Sequence, residues 1–136
     1  MFQQDLLLNE VRKFAEILAR LIGLKASGEI AEFNQQAEKI LQNEYDTSVE
    51  LLTNLPEDDF RAHLQKLNYS KEKLNAFSQL LYVFAEPFND DVETASLLKK
   101  VLIIFDVLEQ QYHFQTFDNI ARQHNIHEYF IKHARS

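Results

Sequence analysis

The apolar residues of this chain fall almost everywhere at helical spacing. Leu7, Val11, Phe14, Leu18 and Leu21 follow one another in steps of three and four, with Leu8, Ala15 and Ile22 beside them. That is one face of an α-helix, and it predicts a long amphipathic helix from Phe2 to about Leu24. A turn through Leu24–Gly28 follows, in which Gly28 supplies the backbone freedom. Ile30, Phe33, Ala37, Ile40 and Leu41 then mark a second helix to about Glu44. So short a turn makes the two helices antiparallel neighbours.

The next signals concern helix ends. Thr47 and Glu50 have capping-box spacing and open a short helix that ends near Asn54. Pro56 suits the first turn of another helix, with Glu57, Asp58 and Asp59 at its positive end and Phe60, Leu64 and Leu67 on its apolar side. Ser70 is an N-cap ahead of Leu74, Phe77, Leu80, Leu81 and Phe84, and Pro87 stops that helix near Glu86.

The most apolar stretch is Asp91–Tyr112. Leu97, Val101, Ile104, Leu108 and Tyr112 form one face, and Leu98, Leu102 and Phe105 widen it. Asn89 or Asp90 is the expected cap. The segment is short and is interrupted by Lys99, Lys100, Asp106 and Glu109, so it reads as a core helix and not as a bilayer span. A link at His113–Gln115 leads to a terminal helix carrying Phe117, Ile120, Ala121, Ile126, Tyr129 and Phe130. A register shift at His124-Asn125 leaves one helix or two open.

The expected fold is therefore all-α, with six to seven helices in a single domain over 1–136: hairpins at 2–44 and 70–112, short helices at 47–67 between them, and a terminal helix at 116–133. Composition agrees. The chain has two Gly and two Pro in 136 residues, too few for the turns of an all-β domain or for a glycine-rich nucleotide loop. No Cys excludes disulfides and thiolate sites and fits a reducing compartment. No basic region opens the N-terminus, so a secretory signal is not expected and the cytoplasm is the default. Net charge is −7. Without a basic stripe, nucleic acid is a poor partner.

The stretches LARLIGLKASGEIAEFNQQAEKIL (Leu18–Leu41), SVELLTNLPEDDF (Ser48–Phe60), KLNAFSQLLYVFAE (Lys73–Glu86) and ETASLLKKVLIIF (Glu93–Phe105) resemble the helical hairpins of tetratricopeptide-like proteins. More specifically, they are similar to a family of small bacterial proteins of TPR-like fold and uncharacterised role. The likeness runs through most of 2–112 and leaves out 113–136. Gly28-Glu29-Ile30 keeps the repeat's turn, whereas Phe33 stands where the repeat has Ala, and no period of about 34 residues is visible. The resemblance implies a right-handed stack of antiparallel hairpins and an interaction role. It brings no catalytic residues.

Candidate chemistry is sparse. His124, His127 and Glu128, with His133 further on, sit within two helical turns and form the best metal-ligand group. The spacing is not HExxH, and a solvated helix end enriched in His, Lys and Arg is the plainer reading. Glu57-Asp58-Asp59 and Asp90-Asp91 with Glu93 read as helix-start acids, without the loop of a calcium site. Asp106 shares a helix side with Lys99, Ile103 and Gln110, and is expected to face water. His63 is expected to be partly buried between Phe60 and Leu64. Phe114, Phe117, Tyr129 and Phe130 either cover the end of the helical stack, the preferred reading, or form an apolar patch for another chain. No nucleophile–base pair or cofactor fingerprint is visible. The expectation is a non-enzymatic interaction or scaffold domain without cofactor, which binds a protein or peptide, its own copy included. It is not expected to bind nucleic acid or membrane. The alternatives are a metal protein or enzyme using the C-terminal His/Glu group, and a structural homodimer.

Overall fold

The computed structural model describes residues 2–133, with residues 2–11 as backbone alone. The described residues form seven helices and no strand: α1 (Phe2–Ala26), α2 (Ile30–Tyr45), α3 (Val49–Asn54), α4 (Glu57–Leu67), α5 (Lys71–Ala85), α6 (Val92–Tyr112) and α7 (Phe117–His133). The all-α expectation holds, and the observed helix ends lie within a few residues of the predicted ones. The chain divides into two compact units, Met1–Val49 and Glu50–Ser136.

In the first unit α1 and α2 pair. Leu7, Leu8 and Val11, predicted for the apolar face of α1, lie outside the described side chains. Leu21 is buried, as are Phe33, Ala37, Leu41 and Tyr45 of α2, and the Phe14 ring meets Tyr45 edge-on at 6.4 Å. The turn between the helices closes with two backbone bonds: Gly28 N–H donates to Lys25 O at 3.2 Å and Glu29 N–H to Leu24 O at 2.9 Å. This helix ending requires a left-handed residue at Gly28 (φ 81), which glycine adopts without a steric cost. Asp46 ends α2 in the same left-handed region (φ 52). The first amide of α3, Val49 N–H, donates to Glu38 Oε1 at 2.9 Å. A carboxylate of α2 thus serves the start of α3, an acceptor that the local Thr47–Glu50 spacing does not reveal.

The second unit is built around α6, which packs most extensively on α5, then on α4 and α7. Leu97, Leu98, Val101, Ile103, Ile104, Phe105, Val107 and Leu108 are all buried. Phe60 of α4 meets Phe77 of α5 edge-on at 6.0 Å. The predicted cap Ser70 accepts from Lys73 N–H at 3.1 Å. The cap of α6 is Asp91 and not Asn89 or Asp90: its Oδ1 accepts from Thr94 N–H at 2.7 Å. A capping side chain sits two or three residues before the amide it holds; Asp91 is three before Thr94, and Asn89 and Asp90 are further away.

Asn68 (φ 55) and His113 (φ 50) end α4 and α6 in left-handed conformation, among the few non-glycine types that tolerate it. The Tyr112 hydroxyl donates to Tyr69 O, tying the end of α6 to the α4–α5 turn. Thr116 Oγ1 accepts from Asn119 N–H at 2.9 Å and starts α7. α7 runs without a break through His124-Asn125. Ile126 is fully buried, and Asn125 Nδ2 donates to the Tyr82 hydroxyl of α5 at 3.2 Å, while His124 stays exposed.

Candidate functional site

Three places in the second unit carry polar or exposed side chains that a packed helical core does not require. They are the seam between α5 and α7, a buried lysine on α6, and the outer face of α7.

The seam accounts for part of the C-terminal aromatic group. Asn119 is buried and donates from Nδ2 to Asn75 Oδ1 at 2.7 Å, while Arg122 Nη1 donates to Asn119 Oδ1 at 3.2 Å. Tyr129 is buried, and its hydroxyl donates to Asn89 O at 2.8 Å. Its ring continues an edge-on series, Tyr82 to Phe88 at 5.2 Å, Phe88 to Tyr129 at 5.9 Å and Tyr129 to Phe130 at 5.1 Å. Burial, reinforced by the nearby Asp90 and Asp91 carboxylates, holds the Tyr129 phenol above its ordinary range. Tyr129 therefore belongs to the core seam, and Phe130 is half-buried beside it. Phe114 is also half-buried, with Lys71 Nζ 5.8 Å from its ring centre.

Lys100 interrupts the apolar run beside Lys99, yet it is only 2% exposed. Its Nζ donates to Ser96 Oγ at 3.1 Å, Ser96 Oγ donates to Thr53 O at 3.1 Å, and the ammonium lies 6.0 Å from the Phe60 ring centre. Burial lowers its pKa from the ordinary lysine value, the Glu57 carboxylate works in the opposite direction, and Lys99 adds to the lowering. The signal was present: Lys100 is three residues after Leu97 and four before Ile104, so it shares their buried face. The chain of α6 hydroxyl, α3 carbonyl and α4 ring fixes it as a polar strut among α3, α4 and α6.

Two other expectations change. Asp106 does not simply face water: Arg61 Nη1 meets its Oδ2 at 2.6 Å, with both side chains partly exposed (39% and 45%), and Ile103 of the supposed solvent side is buried. α6 is covered by α4, α5 and α7, so little of its circumference is left for solvent. His63 is exposed rather than partly buried, because α4 directs only Phe60 and Leu64 inward. The acids Glu57, Asp58 and Asp59 occupy the first turn of α4 as read.

The outer face of α7 collects the remaining candidates. Phe117 is 92% exposed, Ile131 58% and Ile120 46%. His124, His127 and Glu128 are exposed on the same side, since the buried line of α7 is Asn119, Ile126 and Tyr129 and the helical repeat puts these others opposite it. His124 Nε2 and Glu128 Oε1 stand 3.8 Å apart. His133 lies away from them, 3.5 Å from Asp90 Oδ1 and against the Tyr129 ring. Among the described residues no three His, Cys, Asp or Glu are gathered to hold a metal ion. The structure thus separates the four aromatic candidates: Tyr129 and Phe130 join the core seam, Phe114 borders it, and Phe117 stands free on a face with Ile120 and Ile131.

No described helix is long and apolar enough to cross a membrane. Compared with known proteins, the chain matches no family model, no curated protein and no solved structure.

Proposed function

We propose that this chain is a non-enzymatic helical interaction module, of the hairpin-built kind that its likeness to TPR-like proteins implies, and that the outer face of α7 is its docking surface for a protein. The observation that carries this reading is Phe117, a large apolar ring 92% exposed with Ile120 and Ile131 exposed along the same helix face. Single exposed apolar residues are ordinary. Three on one face of one helix form a stripe of the kind that helix-to-helix recognition uses. The acidic balance of the chain favours a protein partner over a phosphate backbone.

A photo-activated cross-linking residue at Phe117, introduced in the cells that make the protein, tests this. It should yield one discrete protein adduct. The same residue at Val92, 81% exposed at the start of α6 and away from the stripe, should yield none. Absence of an adduct at Phe117, or equal adducts at both positions, overturns the docking surface.

A further inference from the structure

We propose that α7 is a displaceable strap, which unzips from α5 and reseats as one unit while α4, α5 and α6 stay folded. This motion needs no partner on the outer face of α7.

The side that α7 turns to α5 is a line of hydrogen-bonding heads. Asn119, Arg122, Asn125, Tyr129 and His133 follow in steps of three and four, within about one third of the helix circumference. Each reaches α5 or the link after it. Asn119 Nδ2 donates to Asn75 Oδ1 at 2.7 Å, and the Arg122 guanidinium lies 5.7 Å from the Tyr82 ring centre. Asn125 Nδ2 donates to the Tyr82 hydroxyl at 3.2 Å, the Tyr129 hydroxyl donates to Asn89 O at 2.8 Å, and His133 Nδ1 stands 3.5 Å from Asp90 Oδ1. The partners Asn75, Tyr82, Asn89 and Asp90 ascend in the same order, so α7 runs parallel to α5 and closes on it station by station.

α6 is fastened differently. Its line Leu97, Val101, Ile104 and Leu108 is apolar and buried, and water does not replace apolar burial. Of α7 only Asn119, Ile126 and Tyr129 are buried, and Ile126 alone among them is wholly apolar. Parting α7 therefore gives up mainly hydrogen bonds, which water replaces at small net loss. Interfaces that part and re-form are accordingly more polar than permanent ones. The closed seam is complete: among the described residues no buried side-chain nitrogen or oxygen lacks a hydrogen bond. Ile126 and the Tyr129 ring, 5.9 Å from Phe88, supply the apolar contact that reseats the helix.

The link lets the two helices part without loss at either end. α6 closes on its own carbonyls, His113 N–H donating to Glu109 O and Phe114 N–H to Leu108 O, both at 3.1 Å. α7 begins on Thr116 Oγ1. None of these bonds breaks when α7 lifts, and Tyr82, 8% exposed in the closed form, is then released from Arg122 and Asn125.

A 17-residue helix is marginal by itself in water, so the amides of α7 exchange with solvent while it is parted. In native-state hydrogen exchange of the unsubstituted chain, the amides of 120–133 should share one level of protection, at least about tenfold below that of α6. Asn125→Ala, at an exposed position, should lower the protection of α7 about fivefold further. Ile104→Val should lower the protection of α6 roughly threefold to tenfold and leave that of α7 unchanged, because the contacts of Ile104 persist in the parted form. Equal protection of α6 and α7 in the unsubstituted chain overturns the strap, as does an equal loss in both helices for Ile104→Val. Protection that declines residue by residue toward His133 overturns the single unit. An α7 unmoved by Asn125→Ala removes the polar seam as its fastening.

Discussion

Helices α6 and α7 belong to the same compact unit and are treated differently by their surroundings. α6 is enclosed by α4, α5 and α7, to the point that a lysine and most of a second face are buried with it. α7 is held on one line only, by Asn119, Ile126 and Tyr129, and turns an apolar stripe to solvent. The difference shows what a sequence pattern means in context. On α6 a polar residue inside the apolar run became a buried strut. On α7 apolar residues outside the buried line became surface. An enclosed helix makes stability, while a half-covered helix leaves side chains free for another molecule.

The largest expected effect is on the enclosed side. Ile104→Ala removes a fully buried side chain of α6 and should cost about 2–5 kcal/mol in denaturant unfolding. A loss below about 1 kcal/mol, the level of a surface change, would show that α6 is not the enclosed element.

Lys100→Met should act in the opposite direction, stabilising by on the order of 1 kcal/mol at neutral pH because it removes a desolvated charge while keeping the apolar stem. The pH dependence has a definite sign. Below the lowered pKa of Lys100 both folded and unfolded states are protonated, and the folded state carries the desolvation cost. Between that lowered pKa and the ordinary 10.5 the unfolded lysine still binds a proton that the folded one has released, so stability rises with pH. Unfolding titrations of the parent chain should show this rise, and Lys100→Met should lose it. Tyr129 has the reverse sign: its phenol stays protonated in the fold above the ordinary 10.0, so its contribution falls as pH rises past that value.

Asp106→Ala breaks the contact with Arg61. Because both partners are partly exposed, solvent screening limits the loss to about 1 kcal/mol or less in thermal unfolding. A larger loss would mean that this side of α6 is enclosed as well.

The smallest expected effect on folding is at Phe117→Ser, within about 0.5 kcal/mol by denaturant titration, since the ring is almost wholly exposed. The same substitution has the largest expected effect on association. A marked loss of stability would assign Phe117 to the core and erase the contrast between the two helices.

Much of this architecture was legible in the sequence for a local reason. Ser70 three residues before Lys73, Pro87 after Glu86, and Gly28 at a left-handed turn are chemical instructions carried by one or two neighbours. The extent of α6 followed from its apolar periodicity, but its cap is Asp91 and not the expected Asn89 or Asp90. Less of the candidate site was legible. Helical phase could list Phe114, Phe117, Tyr129 and Phe130 as one group, but it could not tell that the Tyr129 hydroxyl finds Asn89 O while Phe117 finds no cover. The continuity of α7 was equally non-local, being fixed by Asn125 on Tyr82 from α5. Asp106 keeps a partly exposed side chain, but spacing could not show its partner Arg61, which lies 45 residues earlier.

The sequence by itself determined the helices, their turns and the all-α class, because periodicity, capping and left-handed turn residues act over a few positions. The tertiary structure alone decided which faces are covered. It paired Asp106 with Arg61, drew Tyr129 into the α5–α7 seam and left Phe117, Ile120 and Ile131 outside. The physical reason is that burial belongs to a residue's neighbours in space. On helices whose partners are dozens of residues away, no local spacing specifies them.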